Sequence, residues 1–385
     1  MDTQRRITSN PFSHRLSFWL ACALSLSGIS CVRTQATSPI AIATAMQAVR
    51  DYGREHQPAR PSDGKTATAQ VSPASDGLYD SGDMYQAHIA SIFAQHDFAA
   101  LEKEAQEVRT SKARLRGGVW KLYIFYEAVS EPPGETQATD SDWDSHLASV
   151  KKWIAAYPTS ATARLALAGT YINYAWAARG DGYSDTVTEP GWNVFGQRIM
   201  LAESVLLDAA RLKEKCPYWY EAMQQVALAQ GWNKQQAREL FDQASVFDPT
   251  YYHFYREYAN FLLPKWYGDE GETQAFAEEV YKRLGDPEGS TVYFEIASLL
   301  ACQCDKERDS LAGMSWPRVK QGYTDLQRLY GTSNLKMNRF AYMSFVAGDK
   351  ASARATFAAL GESWNPQVWH SAANFEAAKT WASGQ

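Results

Sequence analysis

The string Ala237, Phe241, Ala244, Pro249 advances by four, three and five residues. The first two steps put three core-sized side chains on one helix face, and the proline cannot continue the helix. The same four-then-three advance returns at His146, Val150, Trp153; at Ala202, Leu206, Ala209; and at Ala277, Tyr281, Leu284. It returns again at Val319, Tyr323, Leu326 and at Ala353, Phe357, Leu360. Each set is the expected second helix of a helical hairpin. First helices carry a three-one-three advance, clearest at Tyr255, Tyr258, Ala259, Leu262 and repeated at Tyr293, Ile296, Ala297, Leu300. Trp219, Ala222, Met223, Val226 and Arg164, Leu167, Ala168, Tyr171 keep that spacing. A small residue in mid-pattern lets paired helices approach closely.

These positions resemble the tetratricopeptide repeat, a helix-turn-helix unit of about 34 residues. Leu167-Ala168-x-x-Tyr171 and Ala237-x-x-x-Phe241-x-x-Ala244-x-x-x-x-Pro249 match its small and aromatic positions, although no unit shows the complete pattern. The resemblance implies an all-α solenoid of stacked helical hairpins over residues 146–385, with a groove that binds proteins or peptides. Ser111-Lys112-Ala113-Arg114, Gly118-Val119-Trp120-Lys121-Leu122, Tyr174-Ala175-Trp176-Ala177-Ala178-Arg179-Gly180 and Leu262-Leu263-Pro264-Lys265-Trp266-Tyr267-Gly268 resemble an uncharacterised bacterial family of exported, all-helical proteins. That resemblance implies export and a helical fold, and no activity.

Residues 1–30 read as a secretory leader: Arg5, Arg6 and Arg15 precede the apolar run from Leu16 to Ile29. The run is short of the roughly 20 residues that span a bilayer as a helix. Ser27-Gly28-Ile29-Ser30-Cys31 resembles a bacterial lipoprotein cleavage site, with Gly28 departing from its usual branched aliphatic residue. Lipidation of Cys31 is the expectation; simple secretion and a retained signal anchor are the alternatives. Residues 31–80 are rich in Ala, Thr, Ser and Pro and read as a flexible tether, since so little apolar area cannot offset ordering entropy. A short helix over 40–52 would have little to pack on. Residues 81–145 are expected to form an N-terminal helical region.

With 38 basic and 43 acidic residues the chain has no general attraction for nucleic acid. No phosphate-binding Gly-rich loop, serine elbow or paired-His zinc helix occurs, so no cofactor or metal is expected. Asp140-Ser141-Asp142-Trp143-Asp144 resembles the start of a calcium loop, but Ser145 and Lys151 replace its Gly and Glu. It reads as a helix N-terminus. Cys302-Gln303-Cys304 lacks a second cysteine pair and reads as helix thiols or a bridge to Cys216. His253 and Glu257, four apart, lack a visible third ligand and read as a hydrogen-bonded pair.

Two loops combine aromatic and acidic residues, near 176–192 and 264–272. Their candidate binding residues are Trp176, Arg179, Asp181, Asp185, Trp266, Tyr267 and Asp269, suited to stacking on a sugar or gripping a peptide. Core plugs and solvated turns are the competing reading. In a stack of hairpins both loops project from one edge and could meet. The expected function is a non-enzymatic, exported, lipid-anchored scaffold for protein or peptide partners, in the periplasm or at the outer membrane. Its membrane contact would be the N-terminal lipid alone. The alternative is an envelope-polymer-binding or hydrolytic protein that uses the two loops.

Overall fold

The structure, a computed structural model, describes residues 38–54, 81–134, 137–180, 186–303 and 310–384. The leader, Cys31, Asp181, Asp185 and Cys304 lie outside the described residues. Among the described residues the fold is all-α, with a single bridge between Arg114 and Trp120 as its only β pairing. No helix there is long and apolar enough to cross a membrane.

Helices α1 (Pro39–Arg54), α2 (Gly82–Ala94), α3 (Phe98–Ser111) and α4 (Lys121–Val129) precede α5 (Asp140–Ala156). Thr139 caps α5: its hydroxyl accepts from Asp142 N at 3.3 Å, while the Asp142 carboxylate accepts from Thr139 N at 2.8 Å. This reciprocal cap is what the acidic run at 140–144 does. Next come α6 (Ala161–Arg179), α7 (Glu189–Ala210), α8 (Pro217–Gln230), α9 (Lys234–Phe247), α10 (His253–Phe261) and α11 (Glu272–Leu284). The chain ends with α12 (Glu288–Gln303), α13 (Trp316–Tyr330), α14 (Asn334–Val346), α15 (Lys350–Leu360), α16 (Pro366–Trp369) and α17 (Ala372–Ser383).

The four-then-three residues fall on α5, α7, α9, α11, α13 and α15, every second helix. All are buried except Tyr281 and Leu284, which are half-buried on α11. Helix α6 packs on α7, α8 on α9, α12 on α13 and α14 on α15, whereas α11 packs mainly on α12 and α10 on α8, α9 and α12. Phe241 shows why the aromatic position recurs. Fully buried on α9, it stacks on Tyr258 of α10 at 4.9 Å and meets Phe276 of α11 edge-on at 5.1 Å. One ring ties three helices.

Two expectations need correction. The 31–80 tether contains α1, which packs on α7 and α9 rather than standing free. Ala45, Met46, Val49 and Tyr52 form its buried stripe, and Tyr52 stacks on Trp219 at 4.2 Å. The Tyr52 hydroxyl also accepts from Cys216 N at 2.7 Å. A modest apolar stripe suffices because the receiving surface already exists. The second correction concerns Cys216 and Cys302, which are free thiols, so no bridge joins them.

The segment 113–120 closes the molecule. Arg114 lies over the rings of Trp120, Tyr252 and Tyr330, 4.5–4.9 Å from each centroid, and donates to Thr250 O at 2.5 Å. Gly117 N donates to Tyr330 O at 3.3 Å, at the end of α13. Gly117 and Gly118 take φ of 78° and 79°, where other residues are strained, and a Cβ at Gly118 would lie 2.9 Å from the Tyr330 ring. Two glycines thus let an N-terminal turn press against C-terminal helices.

Candidate functional site

That turn borders a half-open cavity of about 1620 Å³. Helices α2, α4, α5, α10, α12 and α14 contribute walls, and Leu115, Arg116, Gly118 and Val119 reach it from the closing turn. Helix α10 contributes most of the chemistry. Its Phe254, Tyr255, Tyr258, Ala259 and Phe261 are buried in the core. His253, Arg256, Glu257 and Asn260, spaced i, i+3, i+4, i+7, form the other face and line the cavity. An amphipathic helix here turns its polar side to a half-open cavity.

At one end the cavity gathers three cations around one carboxylate. Lys336 Nζ of α14 lies 2.5 and 2.6 Å from the two oxygens of Glu295 on α12. Arg256 donates to Glu295 Oε2 at 3.2 Å and to its backbone carbonyl at 2.9 Å. Burial would raise the Glu295 carboxyl, but Lys336, Arg256 and Arg339 together outweigh it and hold it down at about 2. Burial, Arg339 and Arg256 pull Lys336 down to about 8 against the attraction of Glu295. Burial and Arg256 likewise lower Arg339. All three directions describe one condition, an excess of positive charge with a single counter-ion.

Beside this cluster several polar groups lack partners. The Arg339 Nε is fully buried and, among the described residues, finds no hydrogen-bond partner. Asn260 is 3% exposed, and neither its amide nitrogen nor its oxygen finds a partner. Buried polar groups are normally satisfied, and each one left open costs about 1–3 kcal/mol. Glu257 also has no hydrogen bond; burial and nearby Glu127 raise it to about 7 against the pull of Arg256.

His253 does not pair with Glu257. Its ring stacks on Tyr123 of α4 at 3.9 Å, and its Nδ1 lies 3.9 Å from Glu221 Oε1. Burial, helped by Arg256, holds His253 well below its usual range, while burial and the Glu257 charge push Glu221 well above its own. Both directions disfavour the charged forms, so their approach is a polar contact more than an ion pair. Tyr251 satisfies the other Glu221 oxygen at 2.5 Å. Among the described residues no three His, Cys, Asp or Glu side chains are placed to hold a metal ion.

The two loops singled out by sequence do meet. Trp176, in the last turn of α6, packs edge-on against Trp266 at 5.9 Å and against Phe195 at 5.0 Å. The Arg179 guanidinium sits 5.5, 5.3 and 5.9 Å from the rings of Trp176, Trp192 and Trp266. The other two described candidates point elsewhere. Tyr267 packs on Phe261 at 4.8 Å and donates to Leu228 O at 2.9 Å. Asp269 is exposed and pairs with Lys234 of α9 at 2.7 Å.

Of the polar cavity residues on α10, His253 and Glu257 stand out by spacing. Glu295 carried a legible signal, because a carboxylate inside Tyr293-Phe294-Glu295-Ile296-Ala297 interrupts an apolar run. Arg256, Asn260, Lys336 and Arg339 carried none, since they occupy what reads as a solvated face. No family model, curated protein or solved structure matches the chain.

Proposed function

We propose that the chain is an exported helical-repeat scaffold that binds an extended polar ligand, a peptide segment foremost, in the cavity at its centre. In this reading the pairs from α6–α7 to α14–α15 stack as degenerate tetratricopeptide-like units, and the inner face of the stack becomes the binding wall. The observation that carries it is the set of buried polar groups without partners on α10 and α14, Asn260 and Arg339 above all, on residues that line this half-open cavity. Evolution seldom leaves such groups bare unless something completes them. The volume points to a segment rather than a single small molecule, whose sites run to roughly 300–1,000 Å³.

The test fills the cavity. Ala90 of α2 lines it, so Ala90→Trp should block occupancy while preserving helix content by circular dichroism. Wild-type protein incubated with a cell-envelope extract should retain a ligand, detectable by mass spectrometry after denaturation, that the variant does not. Equal retention by both proteins, or by neither, would overturn the reading. The export assignment has its own check. Cys31→Ser should abolish incorporation of labelled fatty acid and release the protein from the detergent phase; persistent labelling would refute lipidation.

A second reading is favoured by Glu257 alone. A carboxyl raised to about 7 can donate a proton near neutrality, as a general acid in hydrolysis must. Under that reading Glu257→Gln would leave binding intact and stop turnover of the retained ligand.

A further inference from the structure

We infer that the Glu295 end of the cavity is a phosphoryl-binding subsite, in which Arg339 and Asn260 receive a phosphate monoester beside Arg256 and Lys336. The inference deepens the binding reading above and rests on it.

Charge is the first argument. Among the described residues, with Glu257 protonated, Arg256, Lys336 and Arg339 have Glu295 as their one charged carboxylate, which leaves two positive charges in excess. A phosphate monoester dianion matches that excess, whereas a carboxylate leaves one charge uncompensated. Glu295 cannot itself relieve the imbalance, because Lys336 and Arg256 already hold both of its oxygens.

Geometry is the second argument. Arg339 keeps its buried Nε donor unused, and guanidinium groups grip phosphoryl oxygens through two parallel hydrogen bonds. Asn260 lies one turn beyond Arg256 on α10, lines the same cavity, and has a buried Nδ2 donor with no partner. Its unpaired Oδ1 would take a hydroxyl or amide hydrogen from the group that carries the phosphate. That pairing selects an ester over the bare ion. The anion would remove several penalties at once: repulsion among the cations and the open hydrogen bonds of Arg339 and Asn260.

Isothermal titration calorimetry on the full chain tests this with four probes: inorganic phosphate, glucose 6-phosphate, O-phosphoserine and acetate. Phosphate should bind, at least one ester should bind more tightly and compete with it, and acetate should be at least about tenfold weaker. The preferred ester identifies whether a sugar or a peptide carries the group. Arg339→Gln should weaken phosphate binding about 10- to 100-fold, Arg339→Lys less, and Asn260→Asp should repel the anion. Circular dichroism of each variant separates lost binding from lost fold, and Asn260→Asp supplies the test should Arg339→Gln not fold. Acetate binding as tightly as phosphate, or unchanged phosphate affinity in both Arg339→Gln and Asn260→Asp, would overturn the subsite. In that event retention of an envelope ligand by wild type and its loss in Ala90→Trp would still support the binding reading. Phosphate binding without any retained envelope ligand would keep the subsite and remove the extended ligand.

Discussion

Arg179 and Arg339 both stand at the junction of several helices, yet their surroundings differ in one respect. Arg179 lies over three indoles contributed by α6, α7 and the loop after α10, so the ring faces that a ligand would use are already covered by the protein's own cation. Arg339 shares one buried carboxylate with two other cations and keeps its Nε hydrogen bond unmade. The first arrangement is a clasp that joins distant parts of the chain. The second leaves polar groups for something else to satisfy. An aromatic, charged loop is therefore a poor guide to a binding site; buried polar groups without partners on residues that line a cavity are a better one.

The largest effect should come from removing the shared counter-ion. Glu295→Gln strands three buried or half-buried cations and should cost about 3–5 kcal/mol in urea unfolding. A change below about 1 kcal/mol would show that the cluster is solvated rather than strained, and would erase the contrast with Arg179. Next in size is Trp266→Ala, which opens the clasp. It should cost about 2–4 kcal/mol while leaving ligand retention in the cavity unaltered. Lost retention with stability intact would make the indole cluster the binding site and reverse the comparison.

Glu257→Gln sharpens the cavity side through pH. A free glutamic acid titrates near 4.3, and in the fold Glu257 is raised to about 7. Between those values the folded chain binds the proton more tightly than the unfolded chain, so rising pH removes stability. Above about 7 the full cost is present, and below about 4 none of it is. The variant should be more stable than wild type by about 1–3 kcal/mol at pH 8 and equal to it at pH 4. Equal stability at both pH values would mean that Glu257 is hydrated like a surface carboxylate. Asp269→Asn should do least. Its ion pair with Lys234 is exposed, and such pairs contribute little, so melting temperature and ligand retention should both stay where they are. A shift in either would return this residue to the list of functional candidates.

The helices were legible because burial of one helix face imposes a short-range period that residues 237–249 display in full. Every set built on that period lands on a helix, and the acidic run at 140–144 is a capping device, as its residue types require. The docking of α1 was not legible, because Tyr52 needs the surface that Trp219 and Cys216 provide from more than 160 residues away. The meeting of Trp176 with Trp266 could be anticipated from the hairpin stack, but its consequence could not: only the assembled structure places Arg179 over the rings.

What the sequence by itself determined is everything governed by neighbours within a turn or two: which segments are helical, which faces are apolar and where most helices stop. What only the tertiary structure decided is where the polar faces point. On α10 and α14 hydrophilic residues at helical spacing look the same whether they meet bulk water or a half-open cavity. The difference was made by the packing of α10, α12 and α14, which brings Arg256, Glu295 and Arg339 to one wall, and by Gly117 and Gly118, whose missing side chains let residues 113–120 close against Tyr330 beside it. Local periodicity encodes which face of a helix avoids water; it carries no record of what the opposite face will find, because that depends on contacts hundreds of residues apart in the chain.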